Sequence, residues 1–303
     1  MLDAAAAADL PPVETLPLEA TRAGAMAFAT SGAGEKQPVA DVEDRDLPGP
    51  VGEIPVRVYT PEGAGPFPIV AYLHGGGWVF MGIETHDWIC RRLANAAGAI
   101  VVSVEYRLAP EHPFPAPLDD CMAVVHWLAS KADELGGDPN RLAVAGDSAG
   151  GNLAAAVTLA SRAADGPRVA AQALVYPVTD AACATPSFVQ NAEGYLLTAS
   201  TMRWFWQQYL GEHGDPDDGY ASVLRHADLT DLPPTLVITA EFDPLRDEGE
   251  AFAEHLAAVG TDVTLRRFDG MVHGFLGMDA LLPEADLAME EIATFLGQAF
   301  RTA

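Results

Sequence analysis

The sequence predicts an α/β domain with a mostly parallel central sheet flanked by helices. Three observations predict it. From about residue 50 onward, short apolar runs alternate with stretches of helical spacing, the pattern of β-α-β units whose strands are covered on both faces. One of those runs stops at Gly146, and an alanine-rich helix follows almost at once, a compact strand-turn-helix unit. The 303 residues, 49% of them hydrophobic, are enough for one large domain with an insertion.

In chain order, residues 54–60 (IPVRVYT) alternate apolar and polar and read as an antiparallel edge strand. Residues 68–74 (PIVAYLH) and 99–106 (AIVVSVEY) are continuous apolar runs, as expected of strands buried on both faces. Residues 116–135 have helical spacing through Cys121, Val124, Val125 and Leu128, with GGDP as the stop. RLAVAGD is a strand, and AGGNLAAAVTLASRAA a helix. Residues 171–178 and 234–241 are further buried strands. Residues 246–260 form a helix ending in glycine, TDVTLRRF a last strand, and residues 283–300 a closing amphipathic helix.

Two stretches break this rhythm: residues 1–49, and residues 183–226 with the aromatic-rich YLLTASTMRWFWQQYL. The second interrupts the succession of strands, so a helical insertion over one end of the sheet is the economical reading. The expected division is a single domain. That insertion would make a cap.

Composition removes several function classes. The net charge is −26, and Lys36 and Lys131 are the only lysines. Such a surface repels phosphate backbones, which excludes nucleic-acid binding. No apolar run is long enough for a membrane span. The N-terminus carries Asp3 and Asp9 and no early Lys or Arg, so it does not read as a secretory signal, and a cytoplasmic protein is expected. Cys90, Cys121 and Cys183 are scattered, odd in number and form no CxxC pair, which reads as reduced thiols. Neither HExxH nor another metal-type cluster occurs, and SGAGEK at residues 31–36 lacks the spacing and preceding strand of a phosphate loop. No metal or cofactor is expected.

The chemistry concentrates in three places. Ser148 lies in GDSAG, between a strand and a helix. A serine on so sharp a turn holds its hydroxyl clear of the sheet, and Gly146 and Gly150 let strand and helix approach. The Ala149 amide opens a helix N-terminus, where a developing anion is stabilised. HGGGW at residues 74–78 follows a buried strand, and consecutive glycines let backbone amides aim at one point. Gly75, Gly76 and Ala149 are therefore the expected oxyanion donors. His74 reads as structural.

A serine hydroxyl needs a base. Among eight histidines, His273 stands in DGMVHGF after the last expected strand, and Asp243 lies in AEFDPLRDEG just after the strand TLVITA. The order Ser148, Asp243, His273 is that of α/β hydrolases, whose loops converge at the carboxyl ends of parallel strands. Asp247 and Asp269 are rival acids. The run Trp204, Phe205, Trp206 lines a substrate pocket or packs as a cap helix, and the pocket candidates are Trp78, Trp204 and Phe205.

Taken together, HGGGW, VEYRLAPEHPFPAPLDD, GDSAGGNLAA, DPLRDEG and DGMVHGF closely resemble the hormone-sensitive lipase family, the bacterial family IV esterases, from about residue 10 to the C-terminus. The resemblance implies an α/β-hydrolase catalytic core, from 50–182 and 227–303, under a helical cap built from 1–49 and 183–226. It also implies hydrolysis of short- to medium-chain carboxylic esters without a cofactor, with Ser148 as nucleophile, Asp243 as acid and His273 as base. It implies a homodimer as well, since members with this GDSAG version often dimerise. Glu105 departs from the family, where aspartate is more frequent. An amide, formamide or lactone substrate is the rival enzyme reading, and a non-catalytic small-molecule receptor the rival of another class.

Overall fold

A computed structural model describes residues 11–164 and 166–303. The expectations attached to residues 1–10 lie outside it. The elements in order are α1 (Leu18–Gly32), β1 (Asp41–Gly49), β2 (Gly52–Thr60), β3 (Phe67–Leu73), α2 (Ile83–Ala97), β4 (Ile100–Val104), α3 (Ala116–Lys131), β5 (Gly137–Asp147), α4 (Ala149–Ala163), β6 (Ala171–Val175), α5 (Pro186–Gln190), α6 (Ala199–Leu210), β7 (Thr235–Phe242), α7 (Arg246–Ala258), β8 (Val263–Val272) and α8 (Glu284–Thr302).

The eight strands form one sheet in the order β1-β2-β4-β3-β5-β6-β7-β8. β1, β2 and β4 pair antiparallel and every other neighbour is parallel. Alternate side chains divide between two cores. Ile69, Ala71 and Leu73 of β3 face the side covered by α3, α4 and α7, while Val70 and Tyr72 face the side covered by α2 and α8. β3, β4 and β6 are buried almost end to end, which is why they read as unbroken apolar runs rather than alternating ones.

Two sequence expectations change. Residues 54–60 are not an edge strand, because β1 pairs along the whole of β2 and takes the outer position. Consequently the cap does not extend to residue 49; residues 41–49 belong to the sheet. The reason is visible in β1 itself: DVEDRDLPG buries only Leu47, so it carries no apolar pattern, as suits an edge protected by charge. α2 was also absent from the expected elements. Its apolar stripe (Trp88, Ile89, Leu93) is broken by Arg91 and Arg92, although Gly98 in the left-handed conformation ends it as a glycine should.

The insertion between β6 and β7 carries α5 and α6 and packs against the N-terminal segment, where the Thr201 hydroxyl donates to the Glu14 carboxylate over 3.2 Å. Arg22 of α1 ties that segment to the core: its guanidinium donates to the carbonyls of Val79 (2.9 Å) and Ala109 (3.2 Å) and pairs with Glu111. Among the described residues, no helix is long and apolar enough to cross a membrane. All three cysteines are free and buried.

Candidate active site

β5 ends at Asp147 and α4 begins at Ala149, so Ser148 alone makes the turn, with φ 56° and ψ −120°. That conformation costs a non-glycine residue roughly 1–3 kcal/mol. The neighbourhood holds it in place. The Ser148 amide donates to Val175 O (2.8 Å), and its carbonyl accepts from the amides of Asn152 (3.1 Å) and Val178 (3.3 Å). A Cβ on Gly146 or Gly150 would overlap the backbone of Leu73 and, for Gly146, of Gly150 itself. Glycine is therefore required at both by close approach, and the same contacts set the first turn of α4 against the start of the loop after β3.

Two other loops reach this corner. Asp243 follows β7 by one residue and His273 follows β8 by one residue, and β7 and β8 are neighbours in the sheet. His273 Nε2 lies 2.8 Å from Ser148 Oγ, and His273 Nδ1 lies 2.7 Å from Asp243 Oδ2. A carboxylate facing Nδ1 places the ring proton there, leaving the Nε2 lone pair to accept from the serine hydroxyl. Asp243 is fully buried; its Oδ1 accepts from the Leu245 amide (2.9 Å), and its carbonyl accepts from Asn191 Nδ2 (3.0 Å). The structure thus brings Ser148, His273 and Asp243 into one hydrogen-bonded chain. The rival acids lie elsewhere. Asp247 accepts from the Ser187 amide and pairs with Arg246, and Asp269 is exposed on β8.

The glycine loop corrects one expected donor. The Gly75 amide donates to Asp147 Oδ1 over 3.1 Å, so it is engaged and is not free for an oxyanion. Gly76 and Gly77 adopt φ 114° and 60°, and among the described residues neither their amides nor that of Ala149 donates to a protein acceptor. The amides of Gly76, Gly77 and Ala149 are therefore free to receive an anion. His74 is buried and stacks on Tyr106 at 4.2 Å, while the Tyr106 hydroxyl donates to its carbonyl. Burial, reinforced by neighbouring His86, pushes its imidazole down to about 3, so it stays neutral and frames the loop.

The aromatic candidates separate. Trp78 is fully buried and stacks face to face on Tyr209 at 4.0 Å. Its surface is spent on core packing, which corrects its expected place in a substrate pocket. Phe205 packs edge-on to Phe80 at 5.1 Å, and its ring occupies the position a Cβ on Gly77 would need. It therefore borders the glycine loop. Trp204 is half-buried beside Phe205.

Sequence reasoning passed over four residues that shape the site. Asn152, a polar residue in an alanine-rich helix, donates to the carbonyls of Val178 and Ala221. Asn191 braces the Asp243 loop, Tyr176 sits with its ring 4.7 Å from that of His273, and Asp147 engages Gly75. Only Asn152 and Asp147 carried a sequence signal, being polar residues inside otherwise apolar segments.

The comparisons with known proteins agree with this architecture. A family model described as alpha/beta hydrolase fold matches residues 70–277. LipN of Mycobacterium tuberculosis, a carboxylic ester hydrolase, is 46% identical over 244 residues, covering 78% of this chain and 65% of LipN; the chain thus spans just under two thirds of that relative. An ethyl acetate hydrolase of Pseudomonas putida is 41% identical over 251 residues, covering 81% of this chain and 78% of that protein. Among solved structures, an alpha/beta hydrolase enzyme from the metagenome of Lake Arreo, Spain, is similar with a TM-score of 0.95 and 43% identity over 99% of this chain and 95% of the other. An esterase of Pyrobaculum calidifontis matches with a TM-score of 0.93 and 42% identity over 98% and 96%. Fold and site together define an α/β hydrolase with its serine on a strand-turn-helix elbow. The chain belongs to the α/β-hydrolase family, in its hormone-sensitive-lipase-like branch, the family IV esterases.

Proposed function

We propose that the chain is a serine carboxylesterase acting on short- to medium-chain carboxylic esters through an acyl-enzyme. The observation that carries this reading is the continuous chain Asp243–His273–Ser148. His273 takes the hydroxyl proton as Ser148 Oγ attacks the ester carbonyl, and Asp243 orients the imidazole and stabilises its cation. The amides of Gly76, Gly77 and Ala149 receive the oxyanion; removing one such donor costs about 3 kcal/mol of barrier. His273 then protonates the leaving alcohol. Water, deprotonated by the same histidine, attacks the acyl carbonyl and releases the carboxylic acid, restoring Ser148.

In this reading α1, α5 and α6 form the cap, with Phe205 at its contact with the glycine loop. A homodimer belongs to the same reading, and its elution volume on a sizing column tests it. Ser148→Ala tests the chemistry. The variant should fold with an unchanged circular dichroism spectrum and lose turnover of p-nitrophenyl butyrate by roughly a million-fold. Undiminished turnover would overturn the assignment.

A further inference from the structure

Asp147 immediately precedes the nucleophile, and the chemistry above does not use it. Its carboxylate is nevertheless heavily engaged. Oδ1 accepts from the Tyr72 hydroxyl (2.8 Å) on β3 and from the Gly75 amide (3.1 Å) on the glycine loop, and it lies 3.2 Å from His86 Nε2 on α2. Three separate elements therefore meet on one oxygen.

The carboxylate opposite Nε2 argues for a proton on that nitrogen. His86 is buried, and its Nδ1 lies 3.0 Å from the Thr85 hydroxyl and 3.3 Å from Gly82 O. A bare Nε2 lone pair would face a carboxylate oxygen, which is repulsive. A proton on Nε2 instead makes a third hydrogen bond to Oδ1. The Gly75 amide, 3.3 Å from Nε2, then goes to the nearer Asp147 oxygen. Burial alone would raise the Asp147 carboxyl, but His86 and Tyr72 outweigh it and hold the group below the usual carboxylate range. The residue beside the nucleophile is thus an ionised carboxylate.

That placement has two consequences. Asp147 lies on the same elbow as Ala149 and grips Gly75, the residue before Gly76 and Gly77. It therefore fixes the two halves of the anion-binding site relative to each other. A Cβ on Gly75 would overlap Asp147 Oδ2, so the loop can approach only as glycine. The carboxylate also brings negative charge close to where negative charge develops, which would oppose the reaction unless donors offset it.

We propose that Asp147 is a positioning residue for the oxyanion loop, and that His86 and Tyr72 hold its carboxylate and offset its charge. The identity of the bond broken rests on the esterase reading; the arrangement of the loop around Ser148 does not.

The test compares single and double variants. His86→Phe keeps a flat ring and removes the Nε2 donor, and Tyr72→Phe removes the hydroxyl. His86→Phe should lower kcat on p-nitrophenyl acetate by roughly ten- to a hundredfold with KM changed by less than about threefold, and Tyr72→Phe should act less strongly in the same direction. Asp147→Asn still offers Gly75 an acceptor but carries no charge, so it should cost less than His86→Phe. The double variant His86→Phe/Asp147→Asn should return to the level of Asp147→Asn, because a neutral amide needs no compensating donor.

Losses that simply add in the double variant, or a change in KM alone, would overturn the inference, since packing damage behaves that way. If His86→Phe yields no folded protein, Tyr72→Phe with and without Asp147→Asn carries the same comparison. The rate at which a fluorophosphonate probe labels Ser148 should follow the same order. If the unchanged chain is labelled but leaves the ester intact, the esterase reading fails alone and the labelling rates decide. Labelling unaffected by either aromatic substitution would overturn the role given to Asp147.

Discussion

At the carboxyl ends of β5, β7 and β8, position is fixed by backbone. Ser148 is locked by three main-chain hydrogen bonds, and Asp243 and His273 each stand one residue beyond a strand. In the helices above them, position is fixed by side chains: Trp78 on Tyr209, Thr201 on Glu14, Arg22 on two carbonyls and a carboxylate. The difference sets what each region tolerates. A backbone-built site has no slack, because a misplaced atom meets main chain that cannot move aside. A side-chain-built cover can repack, and its variants should change how well a substrate binds more than how fast a bond breaks.

The largest expected effect lies at the site. Asp243→Asn keeps the shape of the side chain, but with its oxygen accepting from the Leu245 amide it turns an NH2 donor toward Nδ1 in place of the accepting oxygen, so His273 loses its stabilised tautomer. Turnover should fall about ten-thousand-fold with little change in thermal stability. Rate measurements on p-nitrophenyl butyrate beside a melting curve check it. A loss below about tenfold would mean the chain of hydrogen bonds does not operate as a unit, and the contrast between the regions would break.

A smaller effect tests the seam where the two regions touch. Gly77 has φ 60°, and its Cβ would overlap the Phe205 ring. Alanine pays about 1–2 kcal/mol for that backbone conformation and must also displace the ring. Gly77→Ala should therefore lower kcat by roughly ten- to a hundredfold. Adding Phe205→Ala should recover part of the loss by making room. Kinetics of the two variants separate the causes: no recovery would assign the whole loss to backbone and leave Phe205 outside the site.

The same division explains what could be read in advance. A strand ending, a glycine pair and a serine are local, and so are Asp243 and His273 as polar residues just after expected strands. These were legible. The register of donors within HGGGW was not, because three glycines are equivalent in sequence; what singles out Gly75 is the carboxylate of Asp147, delivered by another strand. Trp78 was misread for a related reason. An aromatic after a glycine loop suits either a pocket or a core, and only Tyr209, far along the chain, decides between them. β1 was missed because an edge strand need not be apolar: its charges serve the edge and hide the strand.

The smallest expected effect concerns the place where the chain leaves the sheet for the insertion. Glu248 of α7 is buried, and its Oε1 accepts from the amides of Thr179 (2.7 Å) and Asp180 (3.1 Å), just beyond β6. Burial pushes its carboxyl up from 4.5 to about 8, against the pull of those two amides. Below pH 4.5 the group is protonated in both folded and unfolded chains and contributes no pH dependence. Between 4.5 and about 8 the folded chain keeps a proton that the unfolded chain releases, so the unfolded state binds fewer protons and stability falls as pH rises. Glu248→Gln retains the accepting oxygen and has no proton to lose. Its melting temperature relative to the unchanged chain should therefore rise by roughly 2–6 °C from pH 5 to pH 8, equivalent to about 1–2 kcal/mol. Parallel melting curves across that range would show the carboxyl to be ionised in the fold. The two amides would then suffice to hold a buried charge, and the exit from the sheet would be anchored by backbone as firmly as the catalytic corner is.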